Sequence, residues 1–332
     1  MSKTEQIARL ADASGLGRLV RKLGGWNGIL VFAYHRVGLV DDLGDPSLWD
    51  ASPPVFEQEL RFLKKEFDVI PPDELERAVS IGRGRYVLLT FDDGYRDNFD
   101  EAFPILKRHG LPATFFVTTG FLDHQQIPWW DEIAWMVHAS TRSESRLNGL
   151  LDSALSFAPR ERRRTTQALI ECYRRLPRES TRQFMDSLAD ATGSGRHQGD
   201  HAAVWMTWDN VRELRASGMH IGGHTVTHPL LAQLSVDEQE QEILGCKMRI
   251  EAELGEPMRY FAYPYGERDS FDDNTRRSLA DHGVELAFSY YHGYQRFRDW
   301  DPYDVRRRGL GPCVTPRRFA LMLTLPQVFA AR

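Results

Sequence analysis

Four short segments of this sequence carry side chains able to do chemistry, and each closes an apolar run. The first is Thr90-Phe91-Asp92-Asp93-Gly94-Tyr95, after Tyr86 to Leu89. Two adjacent carboxylates at the end of a buried strand are costly unless something compensates them. In a regular strand they face opposite sides. If Gly94 turns the chain, both reach one cavity, where one can bind a metal while the other handles protons. The plainer alternative is a turn or capping pair. The second segment is His224-Thr225-Val226-Thr227-His228-Pro229. Imidazoles four apart fall on one face of a helical turn. That spacing suits a divalent metal with softer ligands than calcium or magnesium prefer. Two histidines and one carboxylate leave an open position for water, as a catalytic metal site requires.

The third segment is Phe261-Ala262-Tyr263-Pro264-Tyr265-Gly266. It reads either as a strand closed by a Pro-Gly turn or as a loop whose backbone N–H faces a developing oxyanion. The fourth is Val31-Phe32-Ala33-Tyr34-His35-Arg36, with a histidine ending an apolar strand. Such a histidine is structural or catalytic. Together the segments say more than each alone, because catalytic groups of α/β barrels collect where strands end.

The elements that must position these groups alternate. Strands are predicted over Ile29 to Tyr34, Tyr86 to Phe91, Ala113 to Val117, Met219 to Gly222, Tyr260 to Tyr263 and Glu285 to Phe288. Helical patterns lie between them. Phe56, Leu60, Leu63 and Phe67 mark one face; Ser235 and Glu238 have capping-box spacing ahead of a helix to about Leu254. Thr315-Pro316 reads as a cap with proline at the first helical position. This alternation predicts a parallel α/β sheet, open or closed into a barrel. From about 128 to 203 the alternation stops: no strand is predicted, and helical periodicity dominates. We read an inserted helical subdomain, either a substrate lid or a structural elaboration.

Residues 1–28 form a predicted helical arm ahead of a barrel domain over 29–332. The arm reads as packed on the main body or as an amphipathic helix in peripheral contact with a membrane surface. It lacks the continuous apolar core of a signal peptide, and a cytoplasmic or membrane-associated location is expected. The chain has 332 residues and a net charge of -5, which argues against a nucleic-acid binder. Cys172, Cys246 and Cys313 are few, odd in number and far apart, so no disulfide framework or thiolate zinc site is suggested. No protein partner is inferred.

Thr90 to Gly94 together with His224 to His228 resembles the first two signature motifs of the polysaccharide deacetylases, the NodB-homology group or carbohydrate esterase family four. The resemblance covers roughly Gly28 to Leu323 apart from the insertion. It implies a distorted (β/α) barrel and one divalent metal, zinc first, with cobalt, nickel or manganese as alternatives. It further implies that Asp93, His224 and His228 bind the metal, that Asp92 is the general base, and that the Tyr265 N–H meets the oxyanion.

Two departures stand out. The family's third motif has an arginine where Ala262 stands, and no leucine-histidine motif follows His292. The circularly permuted biofilm poly-N-acetylglucosamine deacetylases carry a Tyr-His pair near the N-terminus, and Tyr34-His35 resembles it. That branch makes His35 the candidate general acid. Arg307, within Val305-Arg306-Arg307-Arg308, is the candidate to orient Asp92. Asp299-Trp300 resembles the fourth motif, with Trp300 as a pocket wall or a core residue. The expected activity is removal of N-acetyl groups from amino sugars of a polysaccharide or its precursor. The alternatives are an amidase or deformylase on a small amide, and a non-catalytic glycan-binding relative.

Overall fold

All six apolar runs become parallel strands, displaced by at most one residue at either end. They are β1 (Gly28–Tyr34), β2 (Arg85–Phe91), β3 (Thr114–Val117), β4 (His220–Gly223), β5 (Tyr260–Ala262) and β6 (Leu286–Ser289). The computed structural model describes residues 20, 25–38, 47–147, 154–199, 204–311 and 314–329. Two further pieces, β7 (Val305–Arg306) and β8 (Arg308–Gly309), flank Arg307. The strands neighbour one another in numerical order from β1 to β7. Phe288 pairs with Val305 on one side of Arg307, and Phe32 pairs with Arg308 on the other. The chain thus passes from the last neighbour back to the first at Arg307, and the sheet curls into a barrel.

Every residue of β1 is buried, because both faces of a parallel strand are covered. The two faces feed different clusters. Ile29, Val31, Leu88, Phe116, Ala262, Phe288 and Val305 pack together inside the sheet. Leu30, Phe32, Leu89, Phe91, Phe115 and Val117 join the outer layer. There they meet Phe56, Leu60 and Leu63 of the helix Pro53–Glu66, and Ile243, Cys246 and Ile250 of the helix Val236–Leu254. Truncating such a phenylalanine to alanine costs about 3–5 kcal/mol. The two-residue period carries the interior face of β2 from Leu88 through Thr90 to Asp92. The barrel interior is therefore apolar along most of its length and polar where the strands end.

The helix starts follow the sequence signals. The Ser235 side chain accepts from the Glu238 N–H, and Glu238 reaches back to the Ser235 N–H at 2.9 Å. Thr315 accepts from the Arg318 N–H ahead of Pro316. The arm expected over 1–28 lies outside the described residues except at 20 and 25–28. No described helix is long and apolar enough to cross a membrane.

The chain divides into two compact units: residues 1–38, 50–124 and 204–332, which hold the barrel, and residues 39–49 and 125–203. The second unit is built on helices Trp129–His138, Arg162–Arg174 and Arg178–Thr192, around Ile133, Met136, Leu169, Phe184 and Leu188. One correction applies here: the segment is not strandless. Glu144–Ser145 and Leu155–Ser156 pair antiparallel. A ladder this short leaves no alternation to detect in sequence.

Candidate active site

The end of β2 shows why two neighbouring aspartates can serve one cavity. Asp92 continues the interior face, while Asp93 adopts φ 71° and Gly94 φ 92°. The reversal therefore begins at Asp93 itself, one residue earlier than Gly94 alone would give. Asp92 meets Arg307 in a bidentate pair: Nη1 donates to Oδ1 at 2.6 Å and Nη2 to Oδ2 at 2.8 Å. Arg307 is fully buried and also donates to the Thr90 hydroxyl and the Ser289 carbonyl. Burial by itself raises the Asp92 pKa. The charges of Arg307 and His224, with the Arg307 hydrogen bonds and His35, overcome it and hold the carboxylate below its ordinary value.

Asp93, His224 and His228 present ligand atoms that all lie within 4.8 Å of one another, and all three residues are buried. His224 and His228 do not share a helical turn, contrary to the reading from their spacing. They bracket a loop in which Thr225 and His228 take φ 67° and 60°. Left-handed backbone at a β-branched threonine is strained and persists only where its surroundings enforce it. Enforcement is visible on every side. Thr119 N–H donates to the Thr225 carbonyl and Gly120 N–H to the Val226 carbonyl. A Cβ at Gly120 would stand 2.4 Å from that carbonyl oxygen, so only glycine allows the approach. Glu242, buried on the helix Val236–Leu254, accepts from Val226 N, Thr227 N and the Thr227 hydroxyl at 2.8, 2.9 and 2.5 Å.

The donor set fits a divalent cation. His224 Nδ1 lies 2.7 Å from the Ala262 carbonyl, so it donates there and leaves the Nε2 lone pair free. Nε2 of both histidines stands 3.4 Å from Asp93 Oδ1. This is too long for a good hydrogen bond, and Asp93 Oδ1 is buried without one. A buried anionic oxygen left so is costly unless a cation completes it. Charge states agree with the fit. Burial pushes His228 down to about 3, so the ring is neutral. Burial opposes ionisation of Asp93, but the three histidines around it draw its pKa down to about 2.

His35 follows β1 at the same end. Its N–H donates to Asp50 Oδ2 at 2.6 Å, and its carbonyl accepts from Asn98 Nδ2 at 2.8 Å. Its Nδ1 lies 3.5 Å from the same Asp50 oxygen. Burial works against protonation here, but Asp50, aided by Asp93 and Asp92, lifts the His35 pKa to about 9. Tyr290, after β6, sets its ring edge-on to His35 with centroids 5.5 Å apart. Tyr265 takes φ 62°, and its ring lies edge-on to His228 at 5.1 Å.

Among described residues, six non-glycines have positive φ, and four of them are Asp93, Thr225, His228 and Tyr265. Strain is thus concentrated at this end of the barrel. Trp300 packs half-buried against the interior apolar cluster, as do Phe297 and Tyr86. Three contributors lay outside the sequence reading. Asp50 sits in the buried strand Trp49–Ala51, where a carboxylate between two apolar neighbours was the available signal. Glu242 is one of several acids in the helix Val236–Leu254, and Tyr290 belongs to none of the four segments.

Residues 81–145 and 175–287 match the family model described as Polysaccharide deacetylase. YxkH of Bacillus subtilis (strain 168), provisionally named a polysaccharide deacetylase, is 28% identical over 99 residues. That match covers 29% of this chain and 33% of that protein, so it spans a third of the relative's length. The Streptococcus pyogenes deacetylase PplD, solved in complex with acetate, superposes with a TM-score of 0.59 at 20% identity, covering 89% of this chain and 98% of that one. IcaB from Ammonifex degensii gives a TM-score of 0.56 at 21% identity, covering 92% and 98%. Likeness at these identities shows a shared fold.

Proposed function

We infer the activity from one premise: the chain belongs to the polysaccharide deacetylase family. We propose that it removes N-acetyl groups from amino sugars of a polysaccharide or its precursor, using one divalent metal held by Asp93, His224 and His228. The nitrogen-rich donor set favours zinc. The observation that carries this reading is the buried Arg307–Asp92 pair at the same strand ends as the three-ligand cluster. A binding protein has no need of an immobilised, ionised carboxylate there.

When bound, the metal would supply Lewis-acid polarisation of the scissile carbonyl. Asp92, kept ionised and aimed by Arg307, takes the proton from the attacking water. The Tyr265 N–H meets the oxygen that gains charge. His35, protonated at neutral pH through Asp50, gives its proton to the departing amine. The Tyr34-His35 placement ahead of the Asp-Asp segment supports an exopolysaccharide-type substrate.

The test is acetate release from N-acetylglucosamine oligomers by the zinc- or cobalt-loaded protein beside Asp92→Asn. Release that the substitution abolishes supports the activity and the base together. No release from protein shown to hold one metal per chain sinks the proposal.

A further inference from the structure

The helical unit contains a cleft of ≈ 750 Å³ within its own residues. This volume is in the range of small-ligand sites. One wall is aromatic: Trp129 stacks on Tyr173 with centroids 4.1 Å apart and planes 12° apart. Both rings are half-buried: they pack against the unit's core and also line the cleft. One turn along the same helix the lining is held by ion pairs. Glu132, 5% exposed, takes both Arg196 Nε and Nη2 at 2.7 and 2.9 Å, and Arg196 Nη1 reaches Asp186 at 2.7 Å. A buried carboxylate survives only with such a partner. This one pins the returning segment, because it also accepts from the His197 N–H. At the rim Gln125 takes φ 49°, a left-handed backbone outside any glycine. Such backbone costs about 1–3 kcal/mol and persists only where its surroundings enforce it.

The lining defines the ligand. Glu132 and Asp186 are balanced by Arg196 and Arg182, so the cleft has no net charge. That disfavours nucleic acid and anionic headgroups. Arg182 is exposed, and no described residue pairs with it, which leaves its donors for a ligand oxygen. Aromatic faces that can cover C–H surfaces, carboxamides and one free guanidinium suit the two-sided chemistry of a sugar ring. We propose that this cleft is an accessory saccharide site that takes a short stretch of an N-acetylated amino-sugar chain. The choice of sugar rests on the deacetylase reading; the cleft does not.

The experiment titrates the full-length, zinc-loaded protein with N-acetylglucosamine tetramer and with maltotetraose, by calorimetry, in an Asp92→Asn background that prevents turnover. Trp129→Ala and Arg182→Ala are compared; Arg182 is exposed, so its loss leaves folding intact. The expected result is a binding event for the acetylated tetramer that both variants weaken at least tenfold. With Asp92 restored, acetate release from N-acetylglucosamine dimer stays unchanged in both variants. Binding identical in parent and variants overturns the cleft while leaving the deacetylase reading standing. Equal affinity for maltotetraose overturns the amino-sugar assignment. Cleft-dependent binding without any acetate release keeps the cleft and sinks the deacetylase reading.

Discussion

The two groups proposed to move protons at the strand ends, Asp92 and His35, are held to different tolerances. Asp92 is clamped by two short, charge-assisted bonds to an arginine with no solvent exposure. His35 is secured mainly through its backbone, and its ring lies 3.5 Å from Asp50 with 17% of the side chain exposed. Both groups change protonation in each cycle of the proposed reaction, and they differ in the resting state each must hold. The proposed base must rest ionised and aimed, which the Arg307 cation secures; the proposed acid must rest protonated, which the Asp50 carboxylate favours.

The clearest way to break this comparison is at the base. Asp92→Asn should lower acetate release by about 10²- to 10⁴-fold, read in a steady-state assay, while zinc content is unchanged. Retained activity would move the base elsewhere.

Next in size is Arg307→Leu. It leaves a buried carboxylate uncompensated and should cost about 3–5 kcal/mol in denaturant unfolding at neutral pH. Adding Asp92→Leu to the same chain should recover most of that stability and none of the activity. The pH dependence fixes the sign. A carboxylate with a depressed pKa adds stability above its ordinary 3.8, and this is lost as pH falls through the depressed value. Without Arg307, burial is opposed only by the His224 and His35 charges, so the acid limb of activity should move to higher pH.

The acid arm should respond more gently. His35→Ala should lower activity by about 10²-fold and lose the stability that the raised histidine pKa contributes at neutral pH. Asp50→Asn should move the alkaline limb down from about 9 towards the ordinary 6.5. The stability from a raised histidine pKa is full below 6.5 and fades through about 9, so this variant should lose its deficit at alkaline pH. An alkaline limb that ignores Asp50 would separate His35 from the reaction.

The smallest effect concerns Glu59, behind the acid arm. It accepts the Tyr34 hydroxyl at 2.9 Å, and burial raises its pKa to about 8 against the help of that bond. Its stabilisation is full below 4.5 and disappears as pH rises through about 8. Glu59→Gln should therefore match the parent at pH 4 and unfold at a higher temperature at pH 9, with neutral-pH activity unchanged.

Sequence made the fold legible where signals were local. The six strand cores announce themselves by continuous apolar runs, and the caps at Ser235 and Thr315 by spacing. Asp92, Asp93, His224 and His228 were readable as pairs. Arg307 was readable only as one arginine of three, because its meaning depends on a strand that pairs left before it and right after it. Asp50 was hidden because its partner His35 lies 15 residues away in unrelated sequence. The His224 loop was misjudged as helical because spacing alone cannot show that Thr225 and His228 are held left-handed by Glu242 and Gly120.

The closing step at Arg307 also sets an order of events during synthesis. Asp92 and Arg307 are 215 residues apart, and the arginine leaves the ribosome after the three ligand residues. A nascent chain can gather Asp93, His224 and His228 while Asp92 still lacks its counter-ion. Burying that carboxylate alone is unfavourable, so the last turn of the barrel and the completion of the Asp92 ion pair are one event. Under the proposed mechanism, hydrolytic competence then arrives only with closure, and a chain stalled earlier holds the proposed metal ligands without an armed base.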